Sequence, residues 1–384
     1  MYQLDDSFWS EVRLKFPAAS NGVYLNTAAV GPLANPVYDS YHSHILHMNR
    51  VGDWNYTRAI ENMERTREKV AALMGAEACD IGFAPNTSHA MNLLAMMFKV
   101  SGSDNSISMP DIEFPSSLYP FRYHGYQLNL SPTINGRIDC DQLIKGVDDN
   151  NRAILASHVQ FSNGFRMDLD ELGARAEGLG TPFIVNATQS LGSFPIDVKK
   201  SKISALTASC HKWMGAGYGL SVVYVSKETR EKTKWPLMGW LSVAQEDLFS
   251  AEDVKIKEIT SAIETGVTPL SNYYALGASV DLITEIGVEN IATRIQTLST
   301  QFADRLATEG FEILSFRDQE SEHSKSHNSG NILIKNEDPE KAWEILNKKG
   351  IYLSPRRGGL RVSINYFNNT SDLDQLILAL KELG

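Results

Sequence analysis

The residues best suited to covalent chemistry in this 384-residue chain stand together at Ser209-Cys210-His211-Lys212-Trp213. Upstream, the apolar run Pro182-Phe183-Ile184-Val185 delivers Asn186-Ala187-Thr188-Gln189 at its end. Downstream, Gly215-Ala216-Gly217-Tyr218-Gly219 leads into Ser221-Val222-Val223-Tyr224-Val225. Lys212 therefore falls on a tight turn between two strand-like segments. A lysine amine is a poor nucleophile while protonated, and inside a pocket its pKa falls far enough to form an imine. A second feature suits an anion. Ala84-Pro85-Asn86-Thr87-Ser88-His89 precedes a segment, Ser88 to Lys99, with Ala90, Leu93, Leu94 and Met97 at helical spacing. Free N–H groups and the dipole at such a helix start attract a phosphate, and the Thr87 and Ser88 hydroxyls add donors. Simple capping by Asn86, Thr87 or Ser88 gives the same pattern.

Positioning these groups requires a sheet. Ile107-Ser108-Met109, Ala153-Ile154-Leu155-Ala156, Phe183-Ile184-Val185 and Val222-Val223-Tyr224-Val225 read as strands alternating with amphipathic stretches, the pattern of βα units in a mainly parallel sheet. Beyond residue 270 the texture changes. Helical patterns run from Ser271 to Ile286 and from Asn290 to Glu309, followed by strand-like Asn331–Ile334 and Leu360–Ile364. A last helix, Ser371 to Leu383, has Ser371 as its expected N-cap. The chain thus reads as α/β, with a large domain at 18–260 and a smaller α+β domain formed by 1–17 and 261–384.

Composition narrows the partners. A net charge of −10 gives no electrostatic support to a nucleic-acid or anionic-membrane partner. No apolar run approaches the roughly 20 residues needed to span a bilayer. The opening Met1-Tyr2-Gln3-Leu4-Asp5-Asp6 carries neither a basic nor an apolar leader region, so a cytoplasmic enzyme is the expectation. Cys79, Cys140 and Cys210 form no CxxC pair and no metal-ligand spacing, so no metal is expected. Cys210 beside the lysine reads as a small buried residue.

Together, Asn186-x-x-Gln189 and Ser209-x-His211-Lys212 resemble the aminotransferase class V family of pyridoxal 5'-phosphate (PLP) enzymes, the group of cysteine desulfurases, kynureninases and isopenicillin N epimerase-like proteins. The resemblance runs in order from about residue 16 to 367. It implies fold type I, with a mostly parallel seven-stranded sheet, and a homodimer with shared active sites acting on a small amino or keto acid. Lys212 then carries the cofactor as an internal aldimine and serves as the base at Cα. Thr87 and Ser88, followed by Met91-Asn92, match the phosphate-holding segment, and Ser209 reaches the same phosphate. Phe114, in Glu113-Phe114-Pro115-Ser116, falls where relatives stack a ring on the pyridine face. His211 packs near that ring and Gln189 meets the phenolic oxygen. Trp240 and Thr268 (or Thr265) match positions that reach the neighbouring subunit's phosphate. Arg361 takes the position that clamps a substrate carboxylate, a role suited to a bidentate guanidinium, with Arg356 and Arg357 close by. Asn26 and Ala28 lie in a loop, Tyr24 to Pro32, that places small residues beside the substrate.

Three departures from the pattern carry information. The family's Asn near the phenolic oxygen falls at Phe161, leaving Gln160 or Asn163 to replace it, while His158 reads equally as core or functional. The stretch Ile351–Gly359 contains no Cys, which argues against a desulfurase that forms a persulfide on the protein. Finally, the acid that pairs with the pyridine nitrogen is Asn186 here. A neutral amide supplies no negative charge to keep that nitrogen protonated, which disfavours full transamination. The sequence therefore reads most naturally as a class V aminotransferase. An epimerase-like or lyase-type enzyme, kynureninase-like or selenocysteine lyase-like, is the alternative, and a PLP-binding protein with little turnover a further one.

Overall fold

The computed structural model describes residues 4–54, 56–244, 254–318 and 327–383; Met1–Gln3, part of the N-terminal reading above, lie outside them. In chain order the strands are β1 (Val23–Tyr24), β2 (Ile81–Ala84), β3 (Ser106–Pro110), β4 (Gln127–Ser131), β5 (Asn151–Ser157), β6 (Phe183–Asn186), β7 (Ala205–Ser209), β8 (Ser221–Val225), β9 (Asn331–Lys335), β10 (Ile351–Tyr352), β11 (Ser354–Arg356) and β12 (Gly359–Ser363).

Seven of them form one sheet in the order β2-β8-β7-β6-β5-β3-β4. Neighbours from β7 to β4 pair in parallel, and only β8 runs against the rest. Strands buried on both faces should read as near-continuous apolar runs, as β6 and β8 do, while the edge strand β4 is partly exposed. Alternation along each strand then feeds two cores. Ile154, Ala156, Val185, Leu206 and Val222 point to one side, where Val70, Met74, Leu172 and Ala176 meet them. Ala153, Leu155, Ile184, Ala205 and Val223 point to the other, against Leu93, Leu94 and Phe98 of the helix Thr87–Phe98. The α/β fold and mostly parallel seven-stranded sheet expected from sequence are present.

A third core lies under the antiparallel sheet β11-β12-β9 and the parallel pair β1-β10. The helix Val288–Thr308 joins both regions: Ile291 and Ile295 sit in the first core, Leu298, Phe302 and Leu306 in the third. Trp9, Val12 and Phe16 belong to the first core, as do Tyr273, Leu276 and Val280 of the helix Leu270–Ile286, whereas Val23 and Leu25 belong to the third. Apolar packing thus passes from the first core to the third within the helix Val288–Thr308.

One cap differs from expectation. The last helix is Thr370–Lys381, and its N-cap is Asn369, whose side chain accepts from the Asp372 N–H while Asp372 reaches back to the Asn369 backbone. That reciprocal pair satisfies two otherwise orphaned donors, and Ser371 falls inside the first turn. Among the described residues no helix is long and apolar enough to cross a membrane.

Candidate active site

In an open α/β sheet, ligands gather outside the carboxyl ends of the parallel strands. Here β5 ends at Ser157, β6 at Asn186 and β7 at Ser209, while β2 ends at Ala84 and leads through Asn86 into the helix Thr87–Phe98. Asn86 caps that helix by accepting from the His89 N–H. After β7 the chain turns sharply. Cys210 N–H donates to Leu220, Gly215 to Lys212 and Ala216 back to Cys210, at 3.0, 2.9 and 2.9 Å. Gly31 closes the turn from outside, donating to the His211 carbonyl at 2.8 Å. A Cβ on Gly31 would stand 1.9 Å from the Lys212 carbonyl oxygen, so only glycine fits this crossing.

The result is a cavity of about 250 Å³ lined by Thr87, Ser88, Phe114, Asn186, Gln189, Ser209, His211 and Lys212. Eight of the residues named from sequence are therefore brought to one place. Burial first, then the charges of Arg361 and Arg356, pull the Lys212 ammonium down to about 8. Its Nζ sits 5.5 Å from the centroid of the Phe114 ring, which meets Phe161 edge-on at 4.9 Å. The two aromatics form one wall. His211 stacks on Tyr218 at 5.1 Å, and burial, helped by Lys212, holds it neutral with a pKa near about 4.

Arg361 is almost wholly enclosed, at 1% exposure. One Nη donates to the Phe161 carbonyl at 2.8 Å, while its Nε and other Nη are buried without a hydrogen-bond partner. Leaving two guanidinium donors unmet is costly, and an incoming carboxylate would satisfy both. Burial and the nearby Arg356 lower its pKa to about 9.

Hydroxyls crowd the helix start. Thr87 Oγ1 lies 2.6 Å from Ser209 Oγ and 3.1 Å from Thr188 Oγ1, and Thr188 also accepts from the Ser209 N–H at 3.2 Å. Thr188, Ser116, Ser157 and Val159 line the cavity too and were not singled out from sequence, and Phe161, which stands where the family has its Asn, lines it as well. The signal available for Thr188 was its place inside Asn186-Ala187-Thr188-Gln189, and for Ser116 its place after Phe114-Pro115. Asn186 donates from Nδ2 to Ser117 Oγ at 3.0 Å and accepts at Oδ1 from the Thr188 N–H at 3.1 Å. Gln189 is held the same way, donating to the Ala28 carbonyl at 2.9 Å and accepting from the Trp213 indole at 2.8 Å.

Neither substitute for the missing family Asn reaches the cavity. Gln160 donates to Glu113 at 2.7 Å, and Asn163 is spent on Gly136 and Phe165. His158 is a core residue: burial pulls it down to about 3, and it packs edge-on against Phe194. Asn26 accepts from the Ser354 hydroxyl at 2.5 Å and bridges to Ser363, beside the Arg361 strand. Trp240 and Thr268 lie outside this chain's cavity; Trp240 is 46% exposed, and the Thr268 hydroxyl faces the Met63 sulfur at 4.0 Å. No cysteine lines the cavity. Cys79 is exposed, Cys140 contacts Met167, and Cys210 is enclosed, its thiol pushed up to about 12 by burial.

A lowered lysine, a hydroxyl cluster at a helix N-terminus, an aromatic wall and two fixed amides are a donor set that fits a flat, phosphorylated pyridine aldehyde. Comparison with known proteins agrees. The family model of aminotransferase class V matches residues 23–376. An uncharacterized aminotransferase of Bacillus subtilis, YcbU, is 24% identical over 371 residues, 96% of either chain. A probable cysteine desulfurase of Methanothermobacter thermautotrophicus is 26% identical, spanning 97% of this chain and 98% of its own. The apo structure of a cysteine desulfurase from Thermococcus onnurineus has the same fold, with a TM-score of 0.87 at 22% identity over 97% of both chains.

Proposed function

We propose, from the premise that this chain belongs to the aminotransferase class V family of PLP-dependent enzymes, that it is a lyase-type enzyme acting on an amino acid with a leaving group at Cβ. Bound in the cavity, PLP supplies a carbonyl that takes up amino groups and an aromatic ring that draws electron density from Cα. The hydroxyls of Thr87, Ser88, Thr188 and Ser209 hold its phosphate, with the N–H groups at the start of the helix Thr87–Phe98. Phe114 covers a ring face, Asn186 meets the ring nitrogen and Gln189 the phenolic oxygen. Lys212, already pulled down to about 8, is the group that attaches the cofactor and then takes the Cα proton. Arg361 clamps the substrate carboxylate, and Asn26 and Ala28 flank it. Trp240 and Thr268 complete the site of a second subunit in a homodimer.

The observation that carries the choice of lyase is Asn186. With a neutral partner, the ring is a weaker store for electrons left at Cα. A substrate whose Cβ substituent departs discharges those electrons into the breaking bond, so it needs that store least. Relatives named cysteine desulfurases lend a lyase reading, but without a cavity cysteine this chain has no thiol to receive sulfur. Transamination remains the second reading, supported by the similarity to YcbU.

Product analysis separates the two. PLP-loaded protein given β-chloro-L-alanine should release pyruvate and ammonia in equal amounts while its visible cofactor band persists. Conversion of the band to the pyridoxamine form, with one equivalent of keto acid and no ammonia, would instead make it an aminotransferase.

A further inference from the structure

We propose that Phe161 is the specificity-determining residue of this site and that the substrate is an amino acid whose Cβ carries an apolar group about the size of a phenyl ring; this rests on the roles of Phe114 and Arg361 given above. Where the family resemblance puts a polar Asn, this chain puts a ring. Phe161 lines the cavity and is half-buried. Its place is fixed twice. The Phe161 carbonyl accepts from an Arg361 Nη at 2.8 Å, so its main chain is tied to the side chain that takes the substrate carboxylate. One residue earlier, Gln160 donates from Nε2 to Glu113 at 2.7 Å, and Glu113 itself precedes Phe114.

The Glu113–Gln160 bond pins the two segments together immediately before each aromatic. The rings then meet with centroids 4.9 Å apart and planes at 78°. The Gly164 N–H closes the loop onto the Gln160 carbonyl at 3.0 Å, and the Gln160 N–H donates to the Phe165 carbonyl at 2.9 Å. With Phe114 lying flat on the cofactor ring, a neighbour turned by 78° stands beside that ring as a side wall. The carbonyl bond puts this wall next to Arg361. A substrate held at Arg361 by its carboxylate and joined to the cofactor by its amino group therefore passes along Phe161, and its Cβ substituent meets the ring.

The rest of the lining offers a Cβ substituent few polar partners. Val159, 1% exposed, adds a second apolar surface. Thr87 bonds Thr188 and Ser209 at the phosphate end, and the Ser157 hydroxyl is taken by Glu113 at 2.6 Å. Asn186 and Gln189 are each held by two protein groups. No Asp or Glu is among the described residues that line the cavity. A hydroxyl, amide or ammonium on Cβ would give up water against Phe161 without gaining a partner there, whereas an apolar ring gains by leaving water and by packing edge-on or offset on an aromatic. Aryl and arylthio groups are of this class. A wall already fixed by its neighbours favours such contact, because little side-chain freedom is lost on binding.

Calorimetric binding of unreactive carboxylates to the PLP-loaded protein tests this without turnover. The probe 3-phenylpropionate has the carboxylate, both carbons and a ring on the second carbon, and propionate lacks the ring. Wild type should bind 3-phenylpropionate about tenfold more tightly than propionate, the effect of burying one such ring. Phe161→Asn, which keeps the main-chain carbonyl for Arg361, should reduce that preference to roughly threefold or less without weakening propionate, and Phe161→Leu should fall between. If Phe161→Asn does not fold, the drop in Phe161→Leu carries the test. Wild type binding the two about equally, or a loaded Phe161 variant keeping the full preference, would overturn the inference. The lyase reading is decided separately, by the products from β-chloro-L-alanine, whose small substituent does not call on Phe161. Failure of both carboxylates to bind the loaded protein would overturn the Arg361 role, and the inference with it.

Discussion

Lys212 is a half-buried cation whose two nearby charges have its own sign, and this has measurable consequences before any substrate binds. Its pKa, near 8 rather than 10.5, means the folded chain holds the proton less tightly than the unfolded one. Between those values the unfolded state binds more protons, so stability rises with pH there, and the full cost is present below about pH 8. Lys212→Met should therefore stabilise the PLP-free protein at pH 7 by on the order of 3 kcal/mol, and the gain should shrink as pH rises through that window in denaturant titrations. The rate of PLP uptake should follow the neutral amine, rising with a midpoint near 8. Arg361→Gln should move that midpoint upward by less than a unit, since burial is the larger cause and Arg361 the smaller. The lysine was legible from its tight turn after a strand end, while Phe114, Gln189 and Ser209 were picked out through the family resemblance of their segments; all four line the cavity. Thr188 was not legible, because its value comes from Thr87 and Ser209 arriving from other segments, 101 and 21 residues away. Gln160 misled for the same reason: only the fold reveals that Glu113 takes its amide.

At the scale of elements, two crossings hold the site in register. Gly31 lies directly on the Lys212 carbonyl, so Gly31→Ala must push the entrance loop off the lysine turn. We expect a loss of about 2–4 kcal/mol in stability and weaker PLP binding, read by thermal unfolding and by cofactor titration. The second crossing is ionic. Arg67 on the helix Tyr56–Leu73 bonds Glu264 at 2.6 and 2.9 Å and the Ile81 carbonyl of β2 at 2.9 Å, while Glu264 accepts from the Phe83 N–H at 2.9 Å. Both charged side chains are enclosed, at 3% and 6% exposure. Arg67 also bonds Glu64 at 2.9 and 3.0 Å and stays partly compensated without Glu264, so Glu264→Ala should cost about 3 kcal/mol in chemical denaturation, the low end for breaking a buried pair. β2 feeds the helix that begins at Thr87, so the same variant should loosen the phosphate end of the cavity. Strands such as β6 and β8 were readable because continuous apolar runs suit a sheet covered on both faces, whereas β2, β4 and β7, interrupted by Gly82, Asn129 and Thr207, were not read as strands. The cap at Asn369 was not readable, because Asn369, Thr370 and Ser371 are all good N-cap types, and only the Asp372 partner in space selects one.

For the whole molecule, the chain supplies most of a cavity but leaves Trp240 and Thr268 facing elsewhere. We propose that they act at a neighbouring subunit's cofactor, as the family resemblance implies, a role that one chain's geometry by itself does not test. Sedimentation should report a dimer. Mixing Lys212→Ala subunits with Trp240→Ala subunits should give more activity than the two separate proteins combined, because one site of the hybrid regains both residues. Every role proposed for the cavity residues depends on Lys212 being the residue that bears the cofactor. Borohydride reduction of PLP-loaded protein, followed by peptide mapping, tests this most directly. The prediction is a single pyridoxyl label on the peptide containing Ser209-Cys210-His211-Lys212, absent in Lys212→Ala. A label on another lysine, or none on a protein that shows the visible band, would contradict it.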